Sequence, residues 1–454
     1  MNWKQTLFWS FSTAAIFYYF LLFGVFVFVG QEEMQLFIPE WWYIREFLFQ
    51  PGGFCAVAGQ WIIQYYRQPM SAVVLHTVLL VGCGFMVYRI LRCFSDKTYL
   101  LFLSLLPVLY LVKMSIHGEY LVDGTVGVVL MLLALSVSLK VRRAGSIAGY
   151  GIASTLFLCG LTGLLSVCYA FLYTLLALLR YKTSRQRLAA AACLIPALFI
   201  YLFSGWLGIP VPLSDGWMPE AYLEIQRLPH YYMYRVWTFF TLSIVGVALF
   251  ARFVPVIGEK SKWMDRVALV VCLITALVSI RFCLPEPWHA QRMMLDELSF
   301  LARERQWDAI IDKYRGKQIY NYVSLNYLNM SLAHKGELAD RMFTFDQKGT
   351  KSLCADWNQT FYMDRLLSDV LVGDVSLSES FAMDGFTQAK RKGSARMMQR
   401  FVQVCLIRGE VALAKKYLDL LAAMPFYKDW ACRYAIYLVH PELMDKDPEL
   451  SDKY

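Results

Sequence analysis

Apolar runs alternate with short polar segments through residues 1–284, and this pattern predicts a bundle of membrane-spanning helices. The first run, residues 6–29, is longer than the roughly 20 apolar residues that a span needs, and no small-residue cleavage site follows it, so we expect a retained helix. Further runs predict spans at residues 70–91, 99–114, 121–139, 146–161, 164–179, 188–206, 233–254 and 266–284. The run 146–179 is divided at Gly160 and Gly163, although one bent helix is the alternative. The pattern therefore predicts about nine spans.

The distribution of lysine and arginine predicts how these spans are oriented. Alternate segments hold 15 of these cations, whereas the segments between them hold 5. Because lysine and arginine resist translocation, the basic segments, among them residues 180–187, are expected in the cytoplasm. With an odd number of spans, the N-terminus is predicted to be cytoplasmic and residues 285–454 are predicted to lie outside.

The segment after Pro285 has apolar positions at helical spacing, as an amphipathic soluble region does. One pattern, a helix end, a short turn and a second helix, occurs at residues 305–314, 335–343 and 408–418. Gly336 and Gly409 supply the tight turn in the second and third of these. The pattern resembles tetratricopeptide repeats, with irregular spacing and a poor fit over residues 351–385.

Composition supports a membrane protein with a soluble part. The 454 residues are 58% hydrophobic and 17% charged, whereas a soluble domain is nearer half apolar and a quarter charged. The net charge of +9 lies in residues 1–284, because residues 285–454 carry 23 basic and 23 acidic side chains. We predict an all-α protein with a polytopic transmembrane domain at 1–284 and an extracytoplasmic helical, tetratricopeptide-like domain at 285–454.

Several classes of site are not supported by the sequence. The 11 cysteines include no Cys-x-x-Cys pair, and most lie in apolar runs, where cysteine behaves as a small hydrophobe. The sequence has no Walker loop, dinucleotide fingerprint, zinc signature or Ser-His-Asp order. No basic stripe on the soluble part indicates nucleic acid, so we expect no nucleic-acid partner.

Acidic, amide and aromatic residues are concentrated between the first two spans, at residues 31–69. Glu32 and Glu33 follow the first span directly. An enzyme acting on a lipid-borne substrate needs carboxylates at this place, just outside the hydrocarbon and within reach of a head group. The alternative is an interfacial belt of Trp and Tyr with solvated acidic residues, and we prefer solvation for Glu40 and Glu46.

The second outer loop offers a weaker signal for a metal. His117 and Glu119 lie two positions apart, so on an extended strand they share a face and can bind a divalent cation. Asp123 would be a further ligand, but the Asp123–Gly124 pair also fits a turn. A divalent metal is therefore a possible cofactor, and no other cofactor is expected.

Two family resemblances follow from these stretches. Glu-Glu-Met-Gln-Leu-Phe, Pro-Gly-Gly-Phe and Gln-Tyr-Tyr-Arg-Gln-Pro, with the stretches at Trp307 and at Lys415 to Leu418, resemble an uncharacterised family of Bacteroidota membrane proteins over nearly the whole chain. That resemblance implies the bacterial inner membrane, with the C-terminal domain in the periplasm. It implies no function.

The acidic first outer loop, the proline-glycine turn, the many short spans and the outer C-terminal domain distantly resemble GT-C glycosyltransferases. Those enzymes take sugars from polyprenyl-phosphate donors and use a carboxylate of the first outer loop, more often Asp than Glu. The resemblance implies the catalytic candidates Glu32, Glu33 and Asp123. It implies the substrate-binding candidates Arg45, Arg67, His117, Glu119 and Arg281. Arginine forks onto phosphate oxygens, although snorkelling at a helix end is the alternative for Arg281.

A sequence of this kind also fits a different class of function. In that alternative the membrane domain anchors a non-catalytic scaffold, and the helical domain binds an envelope protein partner, as repeat arrays commonly do. A surface patch of exposed aromatic residues would favour the scaffold. A deep lateral cavity lined by Glu32, Glu33 and Asp123 would favour the enzyme, whose expected ligand is a membrane lipid or a polyprenyl-phosphate sugar.

Overall fold

The computed structural model describes residues 3–97, 99–118, 120–203, 206, 231–258, 267, 270, 274, 277, 278, 281, 283–353, 375–387, 389 and 393–451. These residues form helices and turns, and no β-strand occurs among them. The predicted all-α fold is thereby confirmed for this part of the chain.

In chain order the helices are α1 (Trp3–Phe23), α2 (Val25–Glu33), α3 (Trp41–Leu48), α4 (Gly53–Ile63), α5 (Pro69–Leu91), α6 (Leu100–Ser115), α7 (Val122–Ser138), α8 (Ala144–Thr162), α9 (Leu165–Arg180), α10 (Ser184–Ala191), α11 (Leu194–Leu202), α12 (Tyr231–Gly258), α13 (Pro287–Arg303), α14 (Trp307–Tyr314), α15 (Tyr322–His334), α16 (Leu338–Arg341), α17 (Val375–Thr387), α18 (Ala395–Ile407), α19 (Val411–Ala422) and α20 (Lys428–Tyr434). Short 3-10 segments are Gln64–Arg67, Met342–Thr344, Thr350–Ser352, Ala435–Leu438 and Pro441–Lys446.

Four helical stretches of the described chain are long and apolar enough to cross a membrane: Trp3–Phe23, Pro69–Leu91, Ala144–Thr162 and Ser184–Leu202. Shorter apolar helices occur at Leu100–Ser115, Val122–Ser138, Leu165–Arg180 and Phe239–Arg252. The chain therefore has the helices of a membrane protein. The count of nine spans and the orientation stay predictions, and the expected last span, 266–284, lies mostly outside the described residues.

The break expected at Gly160 to Gly163 is present. Helix α8 ends at Thr162, and Gly163 follows with φ of 61°, a left-handed conformation that glycine adopts without a Cβ clash. Helix α9 then begins at Leu165. The two apolar runs are therefore separate helices and not one bent helix.

The first apolar run differs from its prediction as one span, because the helix is interrupted at Gly24. Helix α1 covers Trp3–Phe23, and the apolar residues after Gly24 begin α2. There Phe28 is fully buried with its ring centroid 5.5 Å from that of Tyr66, and Phe26 lies 5.5 Å from Phe300. The second half of the run is apolar because it enters a protein core.

The chain forms two compact units, each built from separate stretches of sequence. The first unit consists of Met1–Val25, Trp41–Tyr65 and Met70–Pro285. The second consists of Phe26–Glu40, Tyr66–Pro69 and Glu286–Tyr454. These units differ from the predicted ranges 1–284 and 285–454, because two short N-terminal segments belong to the second unit.

Close helix packing in the first unit depends on small residues. Helix α4 packs on α7, where a Cβ on Gly59 would lie 2.8 Å from the Cβ of Asp123. Helix α8 packs on α9, where Gly151 lies against the ring of Tyr173. Small residues at such positions allow two helix backbones to approach each other.

Two apolar cores hold the second unit together. One joins α13, α14 and α15 and includes Leu298, Ile310 and Leu328, all with no exposed surface. The other joins α17 and α18 and includes Phe381 and Met34. Burial of Met34 explains why the segment after α2 belongs to this unit, since burying a side chain of this size contributes about 1.5–3 kcal/mol.

Three turns in the second unit share one hydrogen-bond pattern. The N–H groups of Arg305, Gly336 and Gly409 each donate to the carbonyl three residues earlier, and the next N–H donates to the carbonyl five residues before it. Gly336 and Gly409 have φ of 71° and 73°, whereas Arg305 has φ of 53° and is the one non-glycine residue of the described chain with positive φ. A left-handed non-glycine residue costs about 1 kcal/mol or more.

The shared turn accounts for the pattern seen at these places in the sequence. A tetratricopeptide-like array remains a prediction, and residues 354–374, within the stretch that fits the repeat poorly, lie outside the described residues. Arg305 stands out because it occupies the turn position that holds glycine in the other two hairpins.

Candidate functional site

Glu33 is bound by charged and polar groups of two helices of the second unit. Its carboxylate accepts from Arg303, Nη1 to Oε1 2.7 Å, and from Nη1 of Arg396. The Ser394 hydroxyl donates to the Glu33 carbonyl and accepts from the N–H of Met397, so one side chain caps α18 and fixes the end of α2. Glu33 therefore ties the N-terminal segment to α13 and α18.

Buried polar partners complete this ion-pair cluster. The side chains of Arg396 and Glu33 are 5% and 6% exposed, and that of Arg303 is 14% exposed. The same Arg396 nitrogen also donates to the Ser299 hydroxyl at 2.8 Å. Charges removed from water to this extent are tolerated because each has an opposite charge or a hydrogen bond beside it.

Glu32 has a different environment, although it is the adjacent residue. It has no exposed surface, and one carboxylate oxygen, Oε1, accepts from the Tyr427 hydroxyl at 2.8 Å. The other oxygen, Oε2, has no hydrogen-bond partner within the described part of the chain. The Arg67 guanidinium lies over the Tyr427 ring, 5.4 Å from its centroid. Arg67 and Glu32 therefore both contact this tyrosine.

These environments shift the two carboxyl groups in opposite directions. Burial raises the pKa of Glu32 from its ordinary value of 4.5 to about 7, although Arg67 and the Tyr427 hydrogen bond act against this rise. Burial also acts to raise the pKa of Glu33, but the guanidinium groups of Arg396 and Arg303 outweigh it and hold that pKa below 4.5. These pKa shifts favour the anionic form of Glu33 and move the ionisation of Glu32 towards neutral pH.

A cavity of about 630 Å³ lies next to this cluster, within the second unit. Its basic lining residues are Arg67, Arg303, Arg305, Arg396, Arg400, Arg433 and Lys446. Its acidic lining residues are Glu304, Asp447 and Glu449. Among the described residues, seven cations face three carboxylates, and an excess of three cations remains when Glu33, the partner of two of the arginines, is counted as well. Such a cavity attracts anions.

One carboxylate within the cavity shows how its walls hold an oxyanion. Glu449 pairs with Arg305, Nη2 to Oε1 3.3 Å, and with Arg400, Nη1 to Oε2 3.8 Å. Oε2 also accepts from Gln403 and from the Tyr434 hydroxyl, the latter at 3.2 Å. Arg305 and Glu449 remain 41% and 32% exposed, and a pair of this kind contributes at most about 1 kcal/mol.

The structure brings three of the predicted residues together in the second unit: Glu32, Glu33 and Arg67. Other predicted residues belong to the first unit, and their predicted roles stay predictions. Arg45 on α3 is exposed, as is Arg281, whereas His117 and Asp123 are 5% and 2% exposed. Glu119 lies outside the described residues.

The part of the chain that the structure describes contains no cluster of metal-binding side chains. Within it, no group of three or more His, Cys, Asp and Glu side chains could hold a metal ion. Because Glu119 falls outside, the possible site formed by His117, Glu119 and Asp123 stays a prediction.

Sequence reasoning missed most of the cavity, because its cations come from five separate places in the chain. Arg303 is the last residue of α13, and Arg305 lies in the turn that follows it. Arg396 and Arg400 are one turn apart on α18, and Arg433 is on α20. The equal numbers of acidic and basic residues in 285–454 concealed this local excess. The spacing of Arg396 and Arg400 was the available signal, since side chains four apart share a helix face.

Ionisation of the Glu32 carboxyl group should lower the free energy of unfolding as pH rises. Because its folded pKa exceeds the ordinary value, its contribution is complete below about pH 4.5 and is lost as pH rises through about 7. We expect Glu32→Gln to remove about 3 kcal/mol of this dependence, measured as unfolding of the full-length protein in detergent between about pH 5 and pH 8.5. The exposed control Glu40→Gln should keep the wild-type slope, and an unchanged slope in Glu32→Gln would contradict the assignment.

The chain belongs to a family of unknown function (DUF6057), whose model matches residues 1–454. Neither the curated proteins nor the solved structures gave a match. The predicted membership of an uncharacterised family is therefore confirmed over the whole chain. Its bacterial group and the resemblance to GT-C glycosyltransferases stay predictions.

Proposed function

We propose that this DUF6057 protein is a membrane glycosyltransferase-like protein that transfers a sugar from a polyprenyl-phosphate donor to an envelope acceptor at the outer face of the inner membrane. The observation that carries the proposal is the cation-rich cavity, whose seven basic side chains suit a phosphate or diphosphate group. The transfer of a sugar comes from the resemblance described above, and the cavity supports the part of it that concerns phosphate.

In this proposal the arginines stabilise the departing phosphate. As the bond between sugar carbon and phosphate oxygen breaks, negative charge grows on the phosphate, and guanidinium groups fixed by ion pairs need no reorganisation to stabilise it. Arg303 and Arg396 are fixed in this way by Glu33. Glu33 therefore acts as a positioning residue for them.

Glu32 is the better candidate of the two carboxylates for a general base. A base accepts a proton best when its pKa is near the working pH, and Glu32 meets this condition while Glu33 does not. Glu32 does not line the cavity, but Arg67 does, and both contact Tyr427. In the proposed reaction the acceptor hydroxyl gives its proton to Glu32 while its oxygen bonds to the sugar carbon and the bond from that carbon to the phosphate oxygen breaks. Because Glu32 has no exposed surface, this step requires its carboxylate to become accessible from the cavity.

A binding experiment tests the phosphate part of the proposal. The full-length protein in detergent is titrated with inorganic diphosphate and, separately, with a polyprenyl phosphate. We expect both to bind, and we expect Arg433→Gln combined with Lys446→Gln to weaken binding at least about 10-fold, since a hydrogen bond to a charged group contributes about 1.5–3 kcal/mol. No ion pair within the described residues involves Arg433 or Lys446, so their loss should leave the fold intact.

The matched control removes two arginines outside the cavity, Arg315→Gln combined with Arg408→Gln, and should bind like the wild type. Binding of diphosphate without binding of the polyprenyl phosphate would limit the site to soluble ligands. A wild-type protein that binds neither would reject the proposal.

The alternative is a non-catalytic scaffold whose helical domain binds an envelope protein. Tyr320 and Phe343, 77% and 81% exposed, favour it, since large exposed aromatic side chains are enriched where proteins meet. In that case replacing both by Ser should abolish capture of the partner, while phosphate binding and the cavity variants would have no effect on function.

A further inference from the structure

Arg305 is an arginine at a turn position where the related hairpins have glycine. Its backbone lies at φ of 53°, and the two matching turns place Gly336 and Gly409 at 71° and 73°. The three turns make the same backbone hydrogen bonds, so glycine would serve the local geometry of this turn better. Arginine at this position therefore makes the turn less favourable than glycine would.

The contacts of Arg305 within the protein do not offset that cost. Within the described part of the chain, its ion pair is with Glu449 at 3.3 Å, and both side chains are more than 30% exposed. An exposed pair is weakened by solvent, and its contribution does not exceed the cost of the left-handed backbone. Arg305 also lines the cation-rich cavity, and a role there would account for an arginine at this turn.

Glu449 occupies the part of the cavity where Arg305 would hold a ligand. Among the described residues, its carboxylate pairs with or accepts from Arg305, Arg400, Gln403 and Tyr434. Two guanidinium groups, an amide and a phenol also form the donor set that a phosphate oxygen requires. The distances to the two arginines, 3.3 and 3.8 Å, are longer than those of a tight charged pair, so the arginines hold this carboxylate less firmly than they would hold a bidentate ligand.

We propose that Arg305 and Arg400 form an oxyanion clamp for the phosphate group of the ligand, and that Glu449 is an internal carboxylate which the phosphate displaces. This rests on the proposed function, in that the cavity takes a phosphorylated ligand. The clamp identifies the residues that hold the phosphate. It also makes Glu449 a competitor that lowers the affinity of the cavity for the phosphorylated ligand.

The clamp predicts opposite effects for two substitutions, measured by titration of the full-length protein in detergent with inorganic diphosphate and with a polyprenyl phosphate. Glu449→Gln keeps an acceptor for Gln403 and Tyr434 but removes the competing charge, so diphosphate should bind about 5-fold more tightly. Arg305→Gly removes the guanidinium and relieves the backbone, so binding should weaken about 10-fold or more while Tm stays the same or rises by about 2–4 °C.

Two further variants separate the clamp from a structural role. Arg305→Lys keeps the charge without the fork and should give intermediate affinity. Arg408→Gln, at the residue before Gly409, removes an arginine that pairs with Glu379 outside the cavity and should bind like the wild type.

The outcomes are distinguishable from those of the proposed function. If the wild type binds neither probe, the proposed function and the clamp both fail. If the wild type binds but Arg305→Gly retains its affinity, or Glu449→Gln binds more weakly, the clamp alone fails. A fall in the Tm of Arg305→Gly with unchanged affinity would show that Arg305 is only structural.

Discussion

Glu33→Gln is expected to lower the free energy of unfolding by about 3–5 kcal/mol, because it removes the carboxylate that pairs with two largely buried guanidinium groups and leaves Arg303 with the half-exposed Glu304. Arg303 and Arg396 both depend on this carboxylate, and Arg396 is almost fully buried. The loss should appear as a fall in Tm, or in the midpoint of chemical unfolding, of the full-length protein in detergent. The main effect of the charge on Glu33 is therefore to stabilise the folded protein.

Asp312→Asn provides the matched control. Asp312 pairs with Arg315 at 2.7 Å, and both side chains are more than 60% exposed. An exposed pair of this kind contributes about 0–1 kcal/mol, so the control should stay close to the wild type. Equal losses in Glu33→Gln and Asp312→Asn would contradict a buried ion-pair cluster.

Glu32→Gln should have the opposite profile, with a folded protein that no longer supports sugar transfer. Loss of a general base costs about 100- to 10,000-fold in rate. Glutamine preserves volume and the acceptor for Tyr427, and it avoids the unfavourable ionisation of a buried carboxyl group. In a strain lacking the gene, the wild type should restore the envelope glycan that deletion alters, and Glu32→Gln at equal protein level should fail.

Glu40→Gln, an exposed carboxylate of the same segment, should complement like the wild type. Full complementation by Glu32→Gln would remove the catalytic assignment and leave the scaffold as the better proposal. A double Glu32, Glu33 substitution is not a clean test, because the change at Glu33 would destabilise the protein by itself.

The helices and their breaks could be predicted because their causes are local. An apolar run of sufficient length, a glycine at 163 and a proline boundary near 285 act through neighbouring residues. The same local reasoning extended the first span to residue 29, whereas the helix long enough to cross a membrane ends at Phe23. Hydropathy does not distinguish lipid from the buried core that receives Phe28.

The candidate site could be predicted only in part. The stretch from residue 31 to residue 69 supplied Glu32, Glu33 and Arg67, because charged groups just outside a span are within reach of a lipid head group. Their different roles depend on Tyr427 and Arg396, which are 395 and 363 residues away from them in sequence. No local pattern connects such positions, so the sequence alone treated the two glutamates as equivalent.

The composition of the second unit affects how it can be studied. A fragment starting near residue 288 would lack Phe26–Glu40 and Tyr66–Pro69, which belong to this unit. Arg303 and Arg396 would then lose Glu33, and Phe381 would lose its contact with Met34. Experiments on this unit therefore need the full chain.

The separation of Glu32 from Tyr427 also has a consequence for biosynthesis. The two residues are 395 positions apart, so the ribosome finishes the glutamate roughly 20–80 seconds before the tyrosine, at about 5–20 residues per second. During that interval Glu32 lacks Tyr427, and for much of it Glu33 lacks Arg396. Because these contacts close very long loops, they should form late in folding. Translation stopped short of residue 396 would leave Glu33 without Arg396, which offers quality-control proteases a way to recognise an unfinished chain.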